Sequence, residues 1–137
     1  MVNTVIKWNG MYRNLITIDE MSVILDEVAA ELPEEIFKDL NGGVSLLDEA
    51  KKSTKDPDGR LYTLGEYRRD QMGRYIVLYY GSLCAVYGNI SRERYRKHLK
   101  DVLSHELTHH WESLAGERAL EIKDEIDMDR YLGRNRR

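Results

Sequence analysis

Between Tyr95 and Leu114 apolar residues return every three or four positions, at Tyr95, Leu99, Val102, Leu103, Leu107 and Leu114. A period near 3.6 held over this length describes one face of an amphipathic helix, and it predicts a helix from about 92 to 113. Ser91 stands where an N-cap belongs, and Glu93 in the first turn complements the positive helix end. Gly116 is expected to stop this helix, after which Ala119, Leu120, Ile122, Ile126 and Leu132 predict a last amphipathic one. With 137 residues the chain can build one core and not two, so the remaining elements must pack against the long helix.

Upstream, residues 1–16 carry Asn9-Gly10 between short apolar runs, and this leader or small extension reads equally as a hairpin or as unstructured chain. Thr17 offers an N-cap with Glu20 three residues on. Met21, Ile24, Leu25, Val28 and Leu32 follow at helical spacing and predict a helix from about 18 to 31. Pro33 opens a second short helix, Glu34 to Leu40, closed by Asn41-Gly42-Gly43. Val44 to Leu47, Leu61 to Leu64 and Tyr75 to Tyr80 read as strands. Between them lie a loop turning at Asp56-Pro57-Asp58-Gly59 and a charged loop, Arg68 to Arg74. Leu83 to Tyr87 predicts a short helix ending at Gly88-Asn89. Helices around a small sheet of about three strands make the chain α+β, with one domain over 17–132 and a basic tail at 133–137.

Composition removes several classes of function. Lys plus Arg total 21 against 24 for Asp plus Glu, a formal charge of -3, so no basic surplus points to a nucleic-acid partner. The longest apolar-leaning run, Tyr75 to Val86, holds 12 residues against the ~20 needed to span a bilayer, and no membrane partner is expected. Lys7, Asn9, Gly10, Arg13 and Asn14 interrupt the start of the chain where a signal peptide would need an apolar stretch, so the expected compartment is the cytoplasm. The single cysteine, Cys84, permits neither an internal disulfide nor a cysteine-based zinc cluster and is read as a small core residue. Any metal must therefore be held by His and carboxylate.

Such a set lies on the long helix. His105-Glu106-Leu107-Thr108-His109 is an H-E-x-x-H, a string that chance alone would give in roughly 1% of chains of this length and composition. Residues four apart are turned by only about 40 degrees, so His105 and His109 project side by side and can share one zinc ion. Glu106 adjoins the pair and can take a proton from an attacking water, then return it to the leaving amine. The plainer reading is two partly buried, merely hydrogen-bonded histidines. Against it, three of the four His fall within six residues, and Glu106 and Thr108 make the helix locally too polar for ordinary core. His110 is turned about 140 degrees from His105 and is assigned to packing or the surface. His98 sits about 10 Å before His105 along the axis, beyond any metal bond.

Several separated motifs, in order, resemble one family: LNGGV at 40–44, GRYIVLYYGS at 73–82, and HELTHHWESLAGER at 105–118 followed by EIKDEID at 121–127. The resemblance is to the small bacterial "possible zinc metallopeptidase" family, the minimal zincins, and covers about 17–132. It implies a zincin-like fold with a small twisted sheet, an active-site helix bearing the H-E-x-x-H, and a C-terminal helix packed beside it. It also implies zinc on His105 and His109, and Glu106 as catalytic base.

Other branches of that family follow the adjacent histidines with Phe-Gly and then acids, a turn that swings a ligand back to the metal. Here Gly116 comes later and Glu117 follows it directly, so Glu117 is the first expectation for the third ligand, ahead of Asp124 and Glu121. Glu112, three residues after His109, is assigned to supporting the histidines or to solvent. The same acids also read as an ordinary charged helical face. The Tyr75 to Tyr80 strand is the candidate edge on which a substrate backbone would pair, with a tyrosine as oxyanion donor; plain packing is the alternative for these tyrosines. Taken together, the expectation is a zinc-dependent peptidase acting on a peptide or protein substrate. The alternatives are a metal-binding or regulatory protein without hydrolysis, and a structural adaptor.

Overall fold

A computed structural model describes residues 5–8, 11–56 and 58–133 of the chain. In chain order the elements are β1 (Val5–Trp8), β2 (Met11–Asn14), α1 (Ile18–Glu31), a 3-10 turn (Glu34–Phe37), β3 (Val44–Leu47), β4 (Lys51–Lys52), β5 (Tyr62–Thr63), β6 (Gly65–Asp70), β7 (Gly73–Tyr79), α2 (Tyr80–Tyr87) and α3 (Arg92–Leu132). Among the described residues the fold is α+β, with three α-helices and a small mixed sheet.

The helix starts follow from their caps. Thr17 Oγ1 accepts from the Glu20 amide at 3.1 Å and donates to the Glu20 carboxylate at 3.1 Å, so cap and third helical residue satisfy each other's polar groups. Ser91 Oγ accepts from the Arg94 amide at 3.2 Å. Met21, Ile24, Leu25 and Val28 of α1 are buried, as are Tyr95, Leu99, Leu103 and Leu107 of α3, so the predicted apolar faces are the ones that meet. Arg92 and Arg96 reach Glu27, and Arg96 also reaches Glu31, closing the exposed side of the α1–α3 seam.

The three-stranded sheet has the order β3-β7-β6, with β3 parallel and β6 antiparallel to β7. Ile76 and Leu78 of β7 are fully buried in the same core as α1 and α3. Two further strand pairs, β1 with β2 and β4 with β5, lie outside this sheet. The β1–β2 pairing places Trp8 opposite Met11, which favours the hairpin reading of the extension; Asn9 and Gly10 themselves lie outside the described residues, as do Pro57 and the residues of the basic tail after Gly133.

Four expectations are corrected. The helix after Pro33 is a single 3-10 turn ending at Phe37 instead of a helix to Leu40. The loop after Leu47 contributes the short strand β4 to pair with β5. The charged stretch Arg68 to Arg74 is not a loop: it is the end of β6, a link of two residues and the start of β7. Gly73, at φ +103, and the Asp70 carboxylate accepting from the Met72 amide at 2.8 Å make so short a link possible.

The largest correction is at Gly116. α3 runs unbroken from Arg92 to Leu132, through Gly116, and there is no separate C-terminal helix packed beside it among the described residues. An interior glycine costs a helix about 1 kcal/mol relative to alanine, a weak penalty that flanking pairs offset. Here Arg118 meets Glu121, Lys123 meets Asp127, and Glu117 is held by Arg69 and Arg74. The glycine that does end the helix is Gly133, which adopts the left-handed conformation at φ +73 with its amide bonded to the Arg130 carbonyl.

Candidate metal and catalytic site

His105 and His109 leave α3 on its exposed side one turn apart, and their Nε2 atoms converge to 3.2 Å. Two nitrogens bound to one tetrahedral zinc at ordinary bond lengths stand about 3.3 Å apart, so the pair has the separation that sharing an ion requires. The other ring nitrogen of His109, Nδ1, faces the Glu112 carboxylate at 3.3 Å. A carboxylate there selects the tautomer that leaves Nε2 free as a ligand. Among the described residues no third His, Cys, Asp or Glu joins these two to make a set that could hold a metal.

Glu106 projects to the sheet side of the same turn and is 8% exposed. Burial pushes its carboxyl above the ordinary range, while the fields of His105 and His109 and the Tyr67 backbone N–H pull the other way without cancelling it. What lets the carboxylate lie against the sheet is Gly65. A Cβ at that position would stand 2.8 Å from Val102 Cγ1 and 3.5 Å from Glu106 Cγ, so only a residue without a side chain allows β6 to pass this close to α3. Outside this contact opens a cleft of about 310 Å³, with Thr63, Leu64 and Gly65 on one wall and Asp101, Val102, His105 and Glu106 on the other.

The residues that follow the histidine pair on α3 are structural. His110 is fully buried, with Nε2 2.7 Å from the Lys38 carbonyl and Nδ1 3.0 Å from the Tyr67 hydroxyl. A carbonyl can only accept, so Nε2 carries the proton and Tyr67 donates to Nδ1 in the neutral ring. Trp111 Nε1 donates to the Ile36 carbonyl at 2.9 Å. Together they fasten the 3-10 turn and β6 to the helix that bears the histidine pair. His98 stacks on Tyr87, with ring centres 3.8 Å apart, which fits its exclusion from the metal pair.

Glu117 is not brought to His105 and His109. It lies eight residues beyond His109 on an unbroken helix, about 12 Å along the axis, and its carboxylate is taken by Arg69 and Arg74. Glu121 and Asp124 lie farther along the same helix, about 18 and 22 Å past His109. The turn that was to return a carboxylate is missing because α3 does not break at Gly116.

The expected substrate edge is also relocated. Tyr75 to Tyr79 lie in the central strand β7, hydrogen-bonded on both sides and without a free edge, and Tyr80 already opens α2; the open edge beside α3 is β6. None of its tyrosines faces the histidine pair: Tyr75 bonds Asp70, Tyr79 bonds Glu66, and Tyr80 bonds the Ile16 carbonyl. Cys84 is buried in the core as expected. Sequence reasoning missed Gly65 and Tyr67. A glycine inside a Tyr- and Leu-rich strand pattern is the signal for close backbone approach that would have singled out Gly65.

No family model matches the chain, and no curated protein does. A solved structure does: a conserved hypothetical protein from Thermo thermophilus, with a TM-score of 0.62 and 31% identity, covering 74% of this chain and 99% of that one. Identity at that level across nearly the whole of the other chain, on the same fold, means that this chain belongs to the family of that conserved hypothetical protein.

Proposed function

We propose that the chain is a metal-dependent hydrolase of the minimal-zincin type acting on peptide bonds, with His105 and His109 holding the metal and Glu106 as general base. The observation that carries this reading is the 3.2 Å convergence of the two Nε2 atoms one residue from a buried carboxylate that faces an open cleft. Zinc bound there would polarise the scissile carbonyl and acidify a water. The chain's own part is fourfold. His105 and His109 supply neutral nitrogen donors, and Glu112 orients the second of them. Glu106 takes a proton from the attacking water and hands it to the leaving amine, a role suited to a carboxyl whose proton affinity burial raises. The free edge of β6 offers backbone groups to an extended peptide. The reducing cytoplasm is the proposed compartment, where a lone buried cysteine stays a thiol.

The deciding experiment compares wild type with Glu106→Gln on unstructured peptides supplied with zinc. Glu106→Gln is expected to keep its metal and lose at least about 100-fold in kcat. Equal turnover in the two proteins rejects the mechanism. A second reading, a metal-binding protein without hydrolysis, is favoured by one observation: no third protein ligand stands beside the pair among the described residues. Zinc bound stoichiometrically with no peptide cut would select it.

A further inference from the structure

α3 outruns the rest of the fold. Glu117 is still held by Arg69 and Arg74, but every residue from 118 to 128 is exposed, an arm of about 16 Å that carries Ile122 and Ile126 into solvent. A helical segment of this length is marginal in water by itself, so a surface that covers it stabilises it. Ala115, Ala119, Ile122 and Ile126 follow the alternating spacing of four and three residues that makes a coiled-coil seam. They fall within about 60 degrees of one another around the helix, on the side turned away from Glu117, and all four are exposed. Arg118 and Glu125 flank this seam on one side, seven residues apart, with Trp111 and Leu132 seven residues beyond them at either end. Glu125 meets no cation among the described residues, and Arg118 has only the exposed Glu121, at 3.5 Å.

We infer that this face binds a second copy of the chain, the two arms pairing antiparallel about a two-fold axis between residues 120 and 121. The inference stands apart from the hydrolase reading above. In this register Ala119 lies against Ile122 and Ala115 against Ile126 of the other copy, so every apolar layer of the seam joins a small side chain to a large one. On the flank Arg118 comes beside Glu125, twice by symmetry, and supplies the cation that Glu125 lacks. Leu132, exposed in the single chain, comes onto the Trp111 ring, which is also exposed and is held in place by its bond to the Ile36 carbonyl. The seam closes at either end where Glu112 of one copy reaches Asp129 of the other, two acids that oppose its extension. Such a contact is isologous and stops at two copies. A parallel pair fits less well, because Ala then meets Ala, Ile meets Ile, and Arg118 falls beside Lys123.

The test is sedimentation equilibrium of the full chain across micromolar concentrations. Wild type is expected to show a monomer–dimer equilibrium with a Kd on the order of 10 μM, as befits an interface at the small end of the size range. Ile122→Glu with Ile126→Glu is expected to stay monomeric, with the near-ultraviolet circular dichroism of the packed core unchanged, since both side chains are exposed in the single chain. Arg118→Glu sets two acids side by side on each flank and is expected to weaken dimerisation at least about five-fold. Adding Glu125→Arg to it restores the pair with its signs exchanged, and is expected to return the Kd to within about two-fold of wild type. A wild type that remains monomeric up to about 200 μM overturns the inference. So does a dimer that survives the two changes at Ile122 and Ile126, which places the contact elsewhere. Tighter dimerisation of Arg118→Glu, the result expected when position 118 faces Lys123, overturns the antiparallel register.

Discussion

The imidazole of His110 joins Tyr67 of β6 to the Lys38 carbonyl, accepting from one at 3.0 Å and donating to the other at 2.7 Å. The ring beside the histidine pair is thus a structural clamp that holds the sheet edge and the 3-10 turn on α3. His110→Ala removes both bonds, leaves the Lys38 carbonyl and the Tyr67 hydroxyl without this partner and opens a cavity where the buried ring stood, and is expected to cost about 2–4 kcal/mol in chemical denaturation. Metal content per folded chain should not change. Loss of metal from folded His110→Ala would place His110 among the ligands.

Metal binding itself should depend on His105 and His109 and not on Glu117. The double change His105→Ala with His109→Ala is expected to abolish zinc uptake in a chelator competition, while Glu117→Ala leaves it within about two-fold of wild type. Glu117→Ala frees Arg69 and Arg74 at the protein surface, so its effect on stability should be below about 1 kcal/mol. A tenfold loss of zinc affinity in Glu117→Ala would restore the bent-helix arrangement that the sequence suggested.

Gly65→Ala tests how closely β6 must pass α3. The added methyl meets Val102 and the Val77 carbonyl, neither of which can withdraw without moving the sheet or the helix. The expected cost is about 1–3 kcal/mol, read as a shift in denaturant midpoint with unchanged slope. If the variant is as stable as wild type, β6 and α3 do not approach as described.

Glu66 makes a prediction in pH. Burial alone would raise its carboxyl, but hydrogen bonds from Lys51, Tyr79 and Arg68 outweigh burial and hold it at about 2, below its ordinary 4.5. The folded state therefore binds the proton less readily than the unfolded chain, and the resulting stability is full above about pH 5 and lost as pH falls from 4.5 through 2. Glu66→Gln should remove on the order of 2 kcal/mol at pH 7, and the difference between the two proteins should vanish near pH 2. A difference that stays constant with pH would show that Glu66 acts through its shape and not its charge.

Local chemistry made much of this protein legible in advance. The caps at Thr17 and Ser91, the apolar faces of α1 and α3, the strand at Val44–Leu47 and the histidine pair four residues apart all rest on interactions between residues near in sequence, where spacing alone decides what can meet. The reading failed where distant contacts compete with local signals. Gly116 is a helix stop by propensity, yet its penalty of about 1 kcal/mol is small enough for several modest contacts to offset together, among them Glu117 with Arg69 and Arg74, which lie more than forty residues away in sequence. Strand order is likewise invisible to periodicity: a run of Tyr, Ile, Val and Leu looks the same at the centre of a sheet as at its edge. Only the pairing of β7 with both β3 and β6 made it the centre and left the free edge to Gly65 and Tyr67. The sequence by itself determined which residues can carry the chemistry, because helical geometry sets His105, Glu106 and His109 together. What surrounds them was settled only by the packing of far-separated segments, which sets the sheet edge beside the helix and leaves no third carboxylate at the pair among the described residues.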